Sequence, residues 1–256
     1  MTITLENLSI GEPVPTPGTR RTGQPRRDDD VLHAIVTDAQ KRFANASATE
    51  LLEWAAAEFG DALAVACSMA ADTILPALVS QTIPDVDVLF LQTGYHFPET
   101  LTTRDELART WPVNVVDVWP EQSVEQQDAE HGKDLWSRDP GACCGLRKVA
   151  PLAESLAGYE AWVTGIRRED NVLRADAQLV EWDATHHMVK LNPIAAWSFD
   201  EVLDFATTHG VPTNPLLADG YPSIGCQPCT RRVLPGEDPR AGRWAGLAKT
   251  ECGIHL

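Results

Sequence analysis

The chain has 256 residues, 43% hydrophobic and 23% charged, a length and balance that suit one globular catalytic domain. Its 21 Lys and Arg against 37 Asp and Glu give a formal charge of −16, which argues against nucleic acid or an anionic membrane surface as the main partner. No stretch approaches the roughly 20 apolar residues that span a bilayer, and the opening residues lack the basic and apolar regions of an export signal, so a cytoplasmic, reducing compartment is expected.

Residues 1–29 carry Pro13, Pro15, Pro17 and Pro25 with Arg20, Arg21, Arg26 and Arg27 and almost no periodic apolar pattern, and are expected to form a disordered tail. From there to residue 235 the pattern predicts a single nucleotide-binding α/β domain. Asp30 is the expected cap of a helix bearing Val31, Ile35, Ala39 and Phe43, and Leu51, Leu52, Trp54, Ala55 and Phe59 mark a second helix. Strand and helix then alternate. Residues 62–67, 86–91, 113–118 and 161–164 read as strands, with helices near 72–79, 98–110 and 146–156 between them. This order predicts a parallel sheet covered by helices on both faces. Residues 179–182 and 188–191 predict a short antiparallel addition, and 198–208 a capped helix.

Ligands of such sheets bind at the carboxyl ends of the strands. The loops 67–72, 92–96 and 165–168 fall there and are expected to form the pocket. Cys67 reads as core, and the glycine-free loop after it is equally well an ordinary strand-to-helix connection. Arg167 and Arg168, at a strand end, read equally as an anion clamp or a solvated loop.

Six cysteines carry most of the chemical information. In a reducing compartment they are expected to bind metal or do redox chemistry rather than form disulfides. Cys143 and Cys144 are adjacent, and Cys226-Gln-Pro-Cys229 is a spaced pair, both in Gly/Pro-rich polar surroundings unlike a core. Two such pairs supply four thiolates to a metal centre. Adjacent cysteines diverge, which is awkward for one small tetrahedral zinc and easier for a cubane whose irons sit at separate corners. Spacing leaves both metals open and favours the cluster.

Cys252 stands apart, with Lys249 and His255 close by and Gly253 beside it. These cations favour thiolate and Glu251 opposes it. Residues 226–256 hold five Arg and Lys against three acidic residues, a net +2 that suits binding of a small anion. Glycines 236, 242, 246 and 253 suggest that 236–256 is a flexible segment able to bring Cys252 to the pocket and withdraw it.

Taken together, Cys143-Cys144-Gly-Leu-Arg147-Lys148, Tyr221-Pro-Ser-Ile-Gly225-Cys226-Gln-Pro-Cys229-Thr230 and the run from Arg240 to His255 resemble the assimilatory adenylyl-sulfate reductases of bacteria and plants. The likeness runs from about residue 45 onward and includes residues 91–96 and 162–165. It implies an adenine nucleotide alpha hydrolase-like fold and reduction of adenosine 5′-phosphosulfate (APS) to sulfite and AMP. It further implies a [4Fe-4S] cluster on Cys143, Cys144, Cys226 and Cys229, and Cys252 as the nucleophile that forms an S-sulfocysteine, cleared by thioredoxin or a similar dithiol protein. Lys148, Arg240, Arg243 and His255 are the substrate-binding residues the likeness points to, followed by Arg174, Arg167 and Arg168. The alternatives are a reductase of the 3′-phosphorylated nucleotide (PAPS), a zinc-stabilised nucleotide-binding module, and a thiolation enzyme of the pyrophosphatase type. The last lacks its Ser-Gly-Gly signature here. Homo-oligomer formation is left open by the sequence.

Overall fold

The computed structural model describes residues 25–256 except 71, 248, 250, 252, 255 and 256. Cys252 and His255 therefore lie outside the described residues, as do residues 1–24.

Six strands form one sheet in the order β3-β2-β1-β4-β6-β5. They are β1 (Leu63–Ala66), β2 (Val86–Leu91), β3 (Val113–Val118), β4 (Ala161–Val163), β5 (Val180–Asp183) and β6 (Met188–Leu191). All neighbouring pairs are parallel except β5 with β6. The expected antiparallel addition is thus only half an addition. β6 joins β4 in parallel register, and β5 alone runs against the sheet as its edge.

Alternation along the strands explains the two covered faces. Leu63, Val65, Val88, Phe90 and Val163 point to one side. There they meet α1 (Asp29–Arg42) through Leu32 and Val36, and α2 (Ala48–Phe59) through Leu51, Leu52 and Ala55. Also packed there are α3 (Ile74–Ser80), Leu107 of α4 (Pro98–Thr110), and Val202 of the last helix, Phe199–His209. The intervening Ala64, Leu89, Val116 and Trp162 point to the other side and pack with Leu152 and Leu156 of the helix Ala150–Leu156.

The polar Asp87 sits in this buried layer because Tyr159 Oη donates to one oxygen at 2.7 Å and Asn114 Nδ2 to the other at 2.6 Å.

The first helix starts earlier than expected, and Asp28, not Asp30, is its cap. Asp29 and Asp30 instead occupy the first turn, where negative charge suits the helix dipole. Just before it, Arg27 reaches the fully buried Glu160 (Nε to Oε2, 2.8 Å) and Glu58 (2.5 Å), tying the start of the described chain to the entry of β4. The helix after β3, α5 (Val124–His131), is held by a Ser123/Gln126 capping box. It is followed by the short α6 (Leu135–Arg138) and α7 (Pro140–Cys144), a π-turn Gly145–Val149, and then α8 (Ala150–Leu156). The last helix is α9 (Phe199–His209), the capped helix the sequence predicts, with Ser198 and Glu201 forming a capping box. Among the described residues no helix is long and apolar enough to cross a membrane.

Candidate active site

The strand order reverses at β1: β2 and β3 lie on one side, β4 and β6 on the other. That switch point opens a crevice beyond the carboxyl ends of β1 and β4. A cavity of about 350 Å3 lies there, lined from all three strand-end loops: Cys67, Ser68 and Asp72 after β1, Thr93 and His96 after β2, and Gly165, Ile166, Arg167, Glu169, Asp170 and Arg174 after β4. Its volume is that of a small-molecule site. The rest of the wall includes Lys148, Leu152, residues 222–226 and 238–240, Arg243, Trp244, Glu251 and Ile254.

In the loop after β1, two of the described amides turn inward rather than to the crevice. Ser68 N and Ala70 N both donate to the Asp72 carboxylate, at 2.9 and 3.0 Å, so the loop closes on itself. Cys67 is 4% exposed, and burial, with Asp72 adding to it, pushes its thiol well up; it belongs to the core, as expected. His96 packs on Phe90, and its Nε2 lies 2.8 Å from Leu91 O. Burial holds its imidazole down at about 4 despite that carbonyl, with Lys148 acting in the same direction.

A second, smaller cavity adjoins the first and is lined by all four paired cysteines: Cys143, Cys144, Cys226 and Cys229. Local structure delivers them from two directions. Pro140 sits in the first turn of α7 and the Asp139 carboxylate accepts from Ala142 N at 2.9 Å, so Cys143 and Cys144 close a short capped helix. Cys226 opens a single 3₁₀ turn that Pro228 favours, and Cys229 N donates back to Cys226 O at 3.0 Å. The turn is docked onto the loop after β2, with Gln227 N on Tyr95 O at 2.7 Å and Cys226 Sγ 3.4 Å from Thr93 Oγ1.

Electrostatics set Cys226 apart from Cys143 and Cys229. Burial, reinforced by the neighbouring sulfurs, raises Cys143 and Cys229 to about 11. Burial also opposes ionisation of Cys226, but Lys148, the Thr93 hydroxyl and Arg243 outweigh it and lower that thiol. Arg147, 4% exposed, stands behind the adjacent pair. It donates to the carbonyls of Thr93 and Gln122 and to Gln127 Oε1, and lies over the Tyr95 ring.

Sulfur is the metal-binding donor of the small cavity, with no carboxylate or histidine among the described residues that line it, which suits a thiophilic centre. Among the described residues no three His, Cys, Asp or Glu side chains converge as one small ion requires.

The two cavities share a wall. Thr93, Lys148, Cys226, Arg243 and Trp244 line both. Arg243 is placed by Ile224 O (3.1 Å to Nη1) and by stacking 4.5 Å over Trp244. The stretch bearing it is pinned to the cysteine turn by Trp244 N on Cys229 O and Arg231 N on Gly242 O. Gly242 is required there, because a Cβ would stand 2.2 Å from Arg231 O.

Of the cations singled out from sequence, the structure brings Lys148, Arg167, Arg174, Arg240 and Arg243 to the large cavity. Arg168 is not among its lining residues; its Nε donates to Ala177 O at 2.9 Å. Arg167 and Arg174 are engaged by the chain's own carboxylates, Arg167 by Glu169 and Asp170, and Arg174 by Asp170 and Glu251. Sequence reasoning placed Thr93 in a pocket loop and Arg147 and Trp244 within the quoted motifs, but gave none of them an individual role and passed over Asn171, which carries no spacing signal.

The switch-point crevice, the parallel sheet and the cation-lined cavity define an α/β protein of the adenine nucleotide alpha hydrolase-like type. In its fold the chain is similar to an FMN adenylyltransferase of Candida glabrata (TM-score 0.51, 14% identity, 80% of this chain and 67% of that one). A likeness with sequence support is to a phosphoadenylyl-sulfate (PAPS) reductase of Candida auris solved as a phosphate complex (TM-score 0.66, 28% identity, 75% of this chain and 94% of that one). Residues 62–232 match the phosphoadenosine phosphosulfate reductase domain, and the chain belongs to that family. Among relatives, it is 53% identical over 232 residues to an adenosine 5′-phosphosulfate reductase of Streptomyces coelicolor, covering 91% of this chain and 98% of that protein. It is 50% identical over 228 residues to one of Mycolicibacterium smegmatis, covering 89% and 96%.

Proposed function

We propose that this chain is an assimilatory APS reductase of the cytoplasm, releasing sulfite and AMP with thioredoxin or a similar dithiol protein as electron donor. The observation that carries the reading is the shared wall: Lys148 and Arg243 border both the nucleotide-sized cavity and the four-thiol cavity. Relatives that cover nearly the whole chain and carry the APS reductase name support the same choice over the PAPS alternative.

In this reading Cys143, Cys144, Cys226 and Cys229 hold a [4Fe-4S] cluster. When bound, the cluster supplies a rigid anchor and an electrostatic field beside Lys148, and no electrons, because two-electron thiol chemistry already balances the reaction. Cys252 as thiolate attacks the sulfur of the sulfate group, the S–O bond to the phosphate breaks, and AMP leaves with the electron pair. The resulting S-sulfocysteine is attacked at Cys252 Sγ by one dithiol thiolate, which releases sulfite. The second dithiol sulfur then resolves the mixed disulfide, so one dithiol is oxidised for each sulfate reduced to sulfite.

Negative charge grows on the bridging oxygen and phosphate in the first step, so cations fixed in place stabilise the transition state more than the ground state. Lys148 and Arg243 fill that role in the shared wall, with Arg240 and His255 as further contributors. Side-by-side kinetics with APS and PAPS, together with iron, sulfide and zinc analysis, test the proposal. Preference for PAPS, or zinc without sulfide, would overturn it.

A further inference from the structure

Glu251 immediately precedes the thiol-bearing position 252, and its carboxylate is held from three sides. Asn171 Nδ2 donates to Oε1 at 2.6 Å, Arg174 Nη2 donates to Oε2 at 3.0 Å, and Arg240 Nη2 lies 3.3 Å from Oε1. The residue is 8% exposed. Its partners come from two distant segments, the loop after β4 and the stretch after the cysteine turn.

Arg174 also binds Asp170 at 2.7 Å, Asp170 binds Arg167 at 2.9 Å, and Arg167 pairs with Glu169. Three guanidiniums therefore face three carboxylates in one wall of the cavity. Within it Arg167 and Arg174 are matched by Glu169 and Asp170, and that part offers little net field to an incoming anion. A carboxylate buried among two guanidiniums and an amide, by contrast, is a strong anchor, because withdrawing it breaks charge-assisted hydrogen bonds and strands desolvated charge. Beyond position 252, Ile254 packs on the cluster that contains Leu89 and Leu152, and a Cβ on Gly253 would touch Val149 Cγ2 at 3.4 Å. The chain is seated on both sides of the reactive position.

We propose that Glu251 is a positioning residue: its clamp by Asn171, Arg174 and Arg240 docks the C-terminal segment on the cavity rim and sets the approach of Cys252, so that Arg174 serves the tail rather than the substrate anion. This rests on Cys252 being the nucleophile.

The test uses holoprotein without nucleotide. Iodoacetamide labelling of Cys252 and tryptic cleavage after Lys249 are followed by mass spectrometry, and AMP affinity by calorimetry. Glu251→Gln and Arg174→Gln should each speed labelling and cleavage about tenfold, the effect of losing one hydrogen bond to a charged group. The double variant should not exceed Glu251→Gln, since the contact to Glu251 that Arg174→Gln removes is already lost there. AMP affinity should change less than about twofold, and in turnover kcat should fall while KM holds. Asn171→Ala, which alters no charge, should shift labelling in the same direction by less. Unchanged labelling and cleavage in all three single variants would overturn the proposal. So would an Arg174→Gln variant that binds AMP about tenfold more weakly while Glu251→Gln is silent, because Arg174 would then be a substrate ligand. Labelling and cleavage need no turnover, so they report on the clamp even if the chain reduces a different substrate or forms no adduct.

Discussion

Gly225 offers a one-carbon perturbation of the shared wall. A Cβ built there stands 2.4 Å from Arg243 Nη2, 2.6 Å from Cζ and 2.8 Å from Nε, while ordinary contact begins near 3.4 Å. In Gly225→Ala the guanidinium must retreat by about 1 Å, and overpacking of this kind costs about 1–3 kcal/mol. It cannot retreat freely, because it is stacked on Trp244 and bonded to Ile224 O. A displacement of 1 Å in a group that stabilises developing charge costs about a hundredfold in rate. Gly145→Ala is the control: it lies beside Cys144, yet its Cβ meets nothing within 4 Å. Sulfite release at limiting APS should therefore fall about a hundredfold in Gly225→Ala and stay within about twofold of the parent in Gly145→Ala, with melting temperature recorded for both. Equal activity of the two variants, with Gly225→Ala folded, would refute the placement of Arg243 against the transferring group.

Three further outcomes follow from the same geometry. His96 has a folded-state value of about 4 against an ordinary 6.5, so the unfolded chain binds the extra proton first. The stability it contributes is present above pH 6.5 and lost as pH falls toward 4; urea midpoints should drop by the equivalent of about 2 kcal/mol between pH 7 and 5, a slope that His96→Gln removes. Cys252→Ser should keep the visible absorption of the cluster and make no sulfite, whereas Cys226→Ser should lose both, as read from the spectrum and a sulfite assay. Gly242→Ala places a Cβ against a carbonyl oxygen that belongs to the backbone and cannot swing away, so it should lower stability by about 1–3 kcal/mol and expose the stretch around Arg243 to trypsin.

The parts of the fold legible in the sequence are those with strong periodicity. The four apolar runs that became β1 to β4, and the Ser198 cap of α9, needed only pattern and capping chemistry. The pocket loops followed from strand order, since a parallel sheet places its carboxyl ends together. What escaped was set by tertiary contacts. α5 has few apolar residues, with only Gln127 buried, so its hydrophobic pattern was too thin to announce it. Nothing in the spacing of Arg167, Arg174 and Glu251 says that they neutralise one another, because Glu251 is 77 residues from its partner Arg174. The four-thiol cavity was legible as paired cysteines, but its union with the nucleotide-sized cavity through Lys148 and Arg243 was visible only in three dimensions.

The central claim is that sulfur is passed to Cys252 before any reductant acts. Mixing holoprotein with APS in the absence of dithiol, quenching in acid and weighing the tryptic peptide of residues 250–256 tests it most directly. The account predicts one adduct of sulfite mass on Cys252 per AMP released. AMP release without that adduct, or an adduct on another cysteine, would contradict it.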